Sequence, residues 1–137
     1  MERFQEKYLD FGAEIVALVS LLPRTTPGRQ IADQLLRSGT SVGANVHEAQ
    51  SAESRADFVH KLQIGLKEIR ETAYWLALGE KSNLLKSDAS TRLRSRCEEL
   101  TAILARSVIT AKAKGGAGIP DSGTQLRAQR DLQISEP

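Results

Sequence analysis

Residues 55–79, RADFVHKLQIGLKEIRETAYWLALG, decide how this chain folds. Phe58, Leu62, Gly65, Ile69, Thr72 and Leu76 follow one another at alternating steps of four and three, the spacing that places side chains on one face of a helix. Ser54, with Asp57 three residues later, makes a capping-box-like start, and Gly79 and Asn83 mark the end. The remaining faces carry more apolar surface than one bundle helix needs. Val59 and Leu66 flank the stripe on one side; Ile64, Trp75 and Leu78 fall on the other, with Glu68 and Glu71 among them. TAYWLALG, residues 72–79, is apolar almost all round. A helix that is apolar on several faces is buried on several faces, so this segment predicts both a helical bundle and a contact with a second subunit.

Upstream, Phe4, Tyr8, Phe11, Ile15, Leu18 and Leu22 repeat the same spacing, and Pro23 stops that helix because its ring disfavours helical geometry in the residue before it. Thr26 is a plausible N-cap for the next helix, with Pro27 at its first position. Ile31, Leu35, Val42, Val46 and Ala49 form its buried stripe. Its middle, RSGTSVGAN at residues 37–45, is unusual. Gly39 and Gly43 each cost roughly 1 kcal/mol relative to alanine in a helix interior. They lie one turn apart and leave a shallow groove, which reads as a place where a neighbouring backbone comes close. A phosphate-cradling loop is excluded, since no Gly-Lys-Ser/Thr element and no strand accompany the glycines.

Downstream, a fourth helix opens near Ser87 and Asp88 and carries Leu93, Cys97, Leu100, Leu104, Ser107 and Ala111. Gly115–Gly118 and Pro120 close it. The reading is an all-α, antiparallel up-down four-helix bundle over residues 1–114, with helices at about 3–22, 27–51, 55–82 and 88–113, and a flexible tail over 115–137. Leu126 to Ile134 in that tail could form a short amphipathic turn on a partner.

Composition agrees. With 137 residues, 40% hydrophobic and 26% charged, the chain is large enough for one core and too short for two ordinary domains. The aromatic share of 4% suits helices filled by Leu, Ile and Ala better than a sheet. One cysteine excludes an internal disulfide framework and fits a reducing compartment. No run reaches membrane-spanning length, and the N-terminal MERFQEKYLDFG carries acids where a signal peptide would be basic and then apolar. The expectation is a cytoplasmic protein without membrane contact.

Chemistry has little to work with. No serine sits in a nucleophile-elbow motif, and Cys97 lies on a core stripe, where a thiol behaves as a small hydrophobe. Helical bundles bind metal pairs through Glu-x-x-His elements. Asp57-x-x-His60 is the only approximation, and both residues point away from the Phe58 stripe. His47 has no histidine four residues away. We therefore expect no catalytic residue, no metal, no cofactor and no small-molecule substrate. The formal net charge is +2 with Lys and Arg scattered, so charge alone announces no nucleic acid.

The ordered string SGTSVGANVHEAQSAESRADFVHKLQIGLKEIRETAYWL, residues 38–76, resembles the four-helix bundle family first named for proteins encoded in intervening sequences of bacterial 23S ribosomal RNA genes. Ser41, Gly43, Asn45, Glu48, Asp57, Phe58, Lys61, Glu68, Glu71 and Trp75 occupy its motif positions. The resemblance implies an up-down bundle that associates into a ring, a homopentamer in related proteins, with no enzymatic activity. A distant relative is the accessory protein of diversity-generating retroelements, a basic pentameric barrel that binds nucleic acid and a reverse transcriptase.

Two functions remain. The first is an oligomeric interaction or scaffold protein whose self-contact draws on Gly39, Gly43, Glu48, Ile64, Glu68, Glu71, Tyr74, Trp75 and Leu78. Tyr74 and Trp75 are its expected anchors, because large aromatics with a polar tip are enriched at interface hot spots; alternatively Trp75 closes a bundle end under a loop. Glu48, Glu68 and Glu71 either pair along a solvated face, as Lys67 and Glu71 can at i, i+4, or set register across the subunit contact. The second function is an RNA- or DNA-binding accessory in which Arg24, Arg29, Arg37, Arg92, Arg94, Arg96 and Arg106 form a repeated band once several copies assemble.

Overall fold

The computed structural model describes residues 3–114, and the expected tail at 115–137 lies outside the described residues. Four helices follow in chain order: α1, Phe4–Val19; α2, Thr26–Ala49; α3, Arg55–Lys81; and α4, Asp88–Lys114. Among the described residues there is no strand.

Local chemistry sets the helix ends. The Thr25 hydroxyl accepts the Gly28 N–H at 3.2 Å, making Thr25 the N-cap of α2 where Thr26 was expected. Ser54 caps α3 by accepting the Asp57 N–H at 3.0 Å. Asn83, at φ 61°, takes the left-handed conformation that turns the chain out of α3. The first helix is shorter than its apolar spacing suggests. Leu21 and Leu22 donate to the carbonyls of Leu18 and Val19, bonds three residues long that tighten the chain into turns ahead of Pro23. Leu22 nonetheless stays buried.

Cross-helix pairs fix the directions. Glu48 meets Lys61 and Ser38 meets Thr72, so α2 and α3 run antiparallel. Gly39 lies on Ile15 and Gly43 on Tyr8, which gives the same relation for α1 and α2. Ile69 meets Cys97, and Glu80 meets Ser90, so α4 runs against α3. Each helix packs on its neighbours in the order α1, α2, α3, α4, and α4 closes back on α1 through a looser seam. This is an up-down bundle in which α1 and α3 stand diagonally.

The core is built from the predicted stripes. Phe4, Tyr8, Phe11 and Ile15 of α1 face Leu35, Val42 and Val46 of α2, Leu62, Ile69 and Leu76 of α3, and Leu100 and Leu104 of α4, all at or near zero exposure. Each such side chain contributes about 1.5–3 kcal/mol by leaving water. Buried hydroxyls are matched. The Tyr8 hydroxyl donates to the Leu100 carbonyl at 2.9 Å across the bundle, and the Thr72 hydroxyl lies 2.9 Å from that of Ser38. Burial pushes the Cys97 thiol up to about 12, partly offset by its contact with Thr101.

The groove of Gly39 and Gly43 is occupied by α1 of the same chain. A Cβ on Gly39 would lie 2.8 Å from Ile15 Cγ1, and one on Gly43 would lie 3.0 Å from the Tyr8 carbonyl oxygen. Their assignment to a subunit contact is therefore corrected: the small residues serve the α1–α2 crossing, which leaves no room for a second copy.

Two outcomes follow for stability. In urea unfolding, Gly39→Ala lowers stability by about 1–2 kcal/mol despite its gain in helix propensity, because the Ile15 side chain must move within a filled core. Gly65→Ala raises it by up to about 1 kcal/mol, since the nearest atom to its Cβ lies at 3.5 Å, ordinary contact distance. In a thiol-labelling assay near neutral pH, native Cys97 stays unreacted over the period in which the urea-unfolded chain is fully modified.

Candidate interaction surfaces

The predicted contact face of α3 is a stripe running Ile64, Glu68, Glu71, Trp75 and Leu78, with Tyr74 beside it. Its position follows from the helix period: these residues lie on the side of α3 that turns toward α2. Arg37, on α2, reaches across to this stripe. Its guanidinium donates to Glu68 Oε2 at 3.3 Å and also pairs with Glu71. Gln34 accepts from the same guanidinium at 2.9 and 3.1 Å, which holds it in place. The Trp75 indole N–H donates to Glu71 Oε2 at 3.0 Å, so Arg37, Glu71 and Trp75 form one connected network.

This network changes three expectations. Glu71 pairs with Arg37 of the neighbouring helix rather than with Lys67 one turn away. Glu68 and Glu71 find their cation within the chain, as does Glu48, whose partner is Lys61 at 3.1 Å. None of the three needs a second subunit to be satisfied. Trp75 is half-buried and packs against the core from within α3, six residues before that helix ends at Lys81. Val59 and Leu66, the other flank of α3, pack against the core as well.

What stays uncovered is narrower than the sequence suggested. Tyr74 is 58% exposed and Leu78 36%, one turn apart, with the Tyr74 ring edge-on to Trp75 at 5.0 Å between centroids. Ile64 is half-buried. A second apolar patch lies on α1, where Leu9 is 57% and Val16 53% exposed, with exposed Ala13 between them. The reading of the first helix followed only its inner stripe and missed this patch. The signal was present: Leu9 and Val16 are seven residues apart, two turns along the outer face.

The arginines divide by position. Arg24 lies in the α1–α2 connection, Arg29 in the first turn of α2, and Arg92, Arg94 and Arg96 in the first turns of α4, so the fold gathers all five at one end of the bundle. Lys81 and Lys86, around the α3–α4 connection, join them. Arg94 pairs with Glu80 at 3.1 Å and Arg96 with Glu99 at 3.3 Å. Arg24, Arg29 and Arg92 are exposed and form no ion pair among the described residues. Arg92 and Arg96 border a groove of about 520 Å³ in the α1–α4 seam, floored by Leu18, Leu21 and Leu93. Arg37 does not belong to this group, being held by Glu68 and Glu71. Arg106 does not either, because it sits in the opposite half of α4.

Among the described residues no group of three or more His, Cys, Asp or Glu side chains could hold a metal ion. The Asp57 carboxylate accepts the Glu53 N–H at 3.3 Å, a capping role at the start of α3. No described helix is long and apolar enough to cross a membrane.

A crystal structure of a protein of unknown function from the S23 ribosomal protein family of Bacteroides thetaiotaomicron is similar to this chain at 37% identity, with a TM-score of 0.71. The likeness covers 77% of this chain and 97% of that one. No curated protein matches this chain. The 23S rRNA-intervening sequence protein family matches residues 3–106, the whole bundle except the last turns of α4. The chain therefore belongs to the 23S rRNA-intervening sequence protein family.

Proposed function

We propose that this chain is a non-catalytic building block of a cytoplasmic homo-oligomeric ring, acting as an interaction or scaffold protein. One observation carries the reading. Two apolar patches, Leu9 with Val16 and Tyr74 with Leu78, lie on the diagonally placed helices α1 and α3. An isologous dimer needs a single self-complementary patch, whereas two different patches on separate faces suit head-to-tail contacts, which close into a ring when the rotation permits. Tyr74 and Leu78 supply the apolar centre. The Arg37–Glu68–Glu71 network beside them supplies a polar rim already ordered before contact, which lowers the entropy lost on association. Five copies is the number the family resemblance implies.

Size-exclusion chromatography with light scattering tests this. The wild-type chain elutes as an oligomer at micromolar concentration. Leu9→Glu alone and Tyr74→Glu alone each shift it to monomer with unchanged helical circular dichroism, because every contact in a ring uses both patches. A wild-type monomer contradicts the reading.

A second reading, an RNA-binding accessory acting with a partner such as a reverse transcriptase, is favoured by the basic end. Copies in a ring whose axis parallels the helices all present Arg24, Arg29 and Arg92 on the same rim, multiplying a charge that one chain holds weakly. Labelled RNA and DNA titrated at low and moderate salt decide it. Binding that weakens steeply with salt and is lost in Arg24→Ala/Arg29→Ala/Arg92→Ala, but is kept in Arg106→Ala, supports this reading. No binding at low salt leaves the scaffold alone.

A further inference from the structure

The chain enters α1, passes from α2 to α3 and leaves α4 at one and the same end of the bundle, opposite the basic end. Arg55, the first residue of α3, stands at that end in line with Phe58 and Leu62. Helix geometry therefore carries its side chain inward, and only 8% of the residue remains exposed. Its surroundings there are apolar, with Phe4, Ala49, Ala52, Phe58 and Ala111 all buried at the same end. The Nε and Nη1 atoms of Arg55 are shut off from solvent and have no hydrogen-bond partner.

No described acid compensates it. Glu48 is bound to Lys61, and Asp57 accepts the Glu53 N–H, so the acids closest in sequence on α2 and α3 have other partners, while Glu53 on the α2–α3 connection is exposed and makes no ion pair with Arg55. The start of α3 is already capped by Ser54. An arginine keeps its charge whatever its surroundings, and a buried guanidinium with unpaired donors is strongly unfavourable unless an anion joins it. Each orphan donor is one arm of a fork completed by Nη2, the geometry that chelates a carboxylate or phosphate through two parallel bonds.

We propose that Arg55 anchors an oxyanion site at the α2–α3 end of the bundle, taking one carboxylate or phosphate group. Two sources carry that chemistry. One is a free oxyanion. The other is an acid of this chain beyond the described residues, where Glu2, Asp121, Asp131 and Glu136 stand on the segments that join this same end. The site is independent of the ring and of the basic rim.

Thermal unfolding of the full chain, with inorganic phosphate exchanged for chloride at constant ionic strength, tests the site and separates its sources. With a free oxyanion as the ligand, the wild-type Tm rises by about 8–10 °C over a roughly fiftyfold excess of phosphate above its dissociation constant. Arg55→Met loses that rise, and Arg55→Lys, a point charge without a fork, keeps less than half. With an acid of the chain as the ligand, the wild type is insensitive to phosphate. The variant Glu2→Gln/Asp121→Asn/Asp131→Asn/Glu136→Gln then has a lower Tm and gains phosphate dependence, and adding Arg55→Met cancels both changes. A Tm independent of phosphate in both the wild type and the neutralised variant overturns the proposal. So does an equal rise in Arg55→Met.

Discussion

The close crossing of α1 and α2 is the contact on which the rest of the bundle depends. Gly39 lets Ile15 lie directly on the α2 backbone, and Gly43 does the same for the Tyr8 carbonyl. With the helices this close, Tyr8 is carried deep enough for its hydroxyl to reach the Leu100 carbonyl on α4. A polar tip at the centre of an apolar core is tolerable only with such a partner. Ser38, one residue from Gly39, meets Thr72 of α3 in the same layer. The two glycines thus set the depth of α1, and the buried hydroxyl pairs lock the register of α4 and α3 against it.

The same crossing shapes the surface. Because α1 fills the groove of α2, the small-residue face is not available for assembly, and the proposed self-association is left to side chains that no helix of the chain covers. The large apolar ones among the described residues are Leu9 and Val16 on α1, Leu21 just beyond it, Tyr74 and Leu78 on α3, and Ile109 on α4; Leu9 with Val16 and Tyr74 with Leu78 are the pairs that share a helix face. The acids of α3 are engaged by Arg37 and Trp75 before any second copy arrives. Exposed ion pairs of this kind add little to stability, so their weight in this account lies in ordering the border of the contact.

Much of the fold was legible in the sequence because a stripe at steps of three and four is a direct record of which side chains face inward. The close approach at Gly39 and Gly43 was legible too, since nothing but proximity offsets glycine in a long helix. The owner of the approaching backbone was not, because small residues look alike whether the neighbour is α1 or another chain. The partners of Glu48, Glu68 and Glu71 were not legible for a related reason. Sequence spacing shows neighbours along a helix, whereas Arg37 and Lys61 reach these acids across a helix pair. The clustering of Arg24, Arg29 and Arg92 depends on antiparallel topology bringing distant stretches to one end. The burial of Arg55 was not legible, because an arginine beside a cap residue reads as part of a solvated face.

The central claim is that copies of this chain meet head to tail, the α1 patch of one against the α3 patch of the next. Cysteine cross-linking tests it most directly, using Val16→Cys and Leu78→Cys together in a Cys97→Ser background under mild oxidation. The account predicts disulfides joining position 16 of one copy to position 78 of another, with chains linked into a ladder that ends at the ring size. Cross-links that join only like positions, 16 to 16 or 78 to 78, would contradict it.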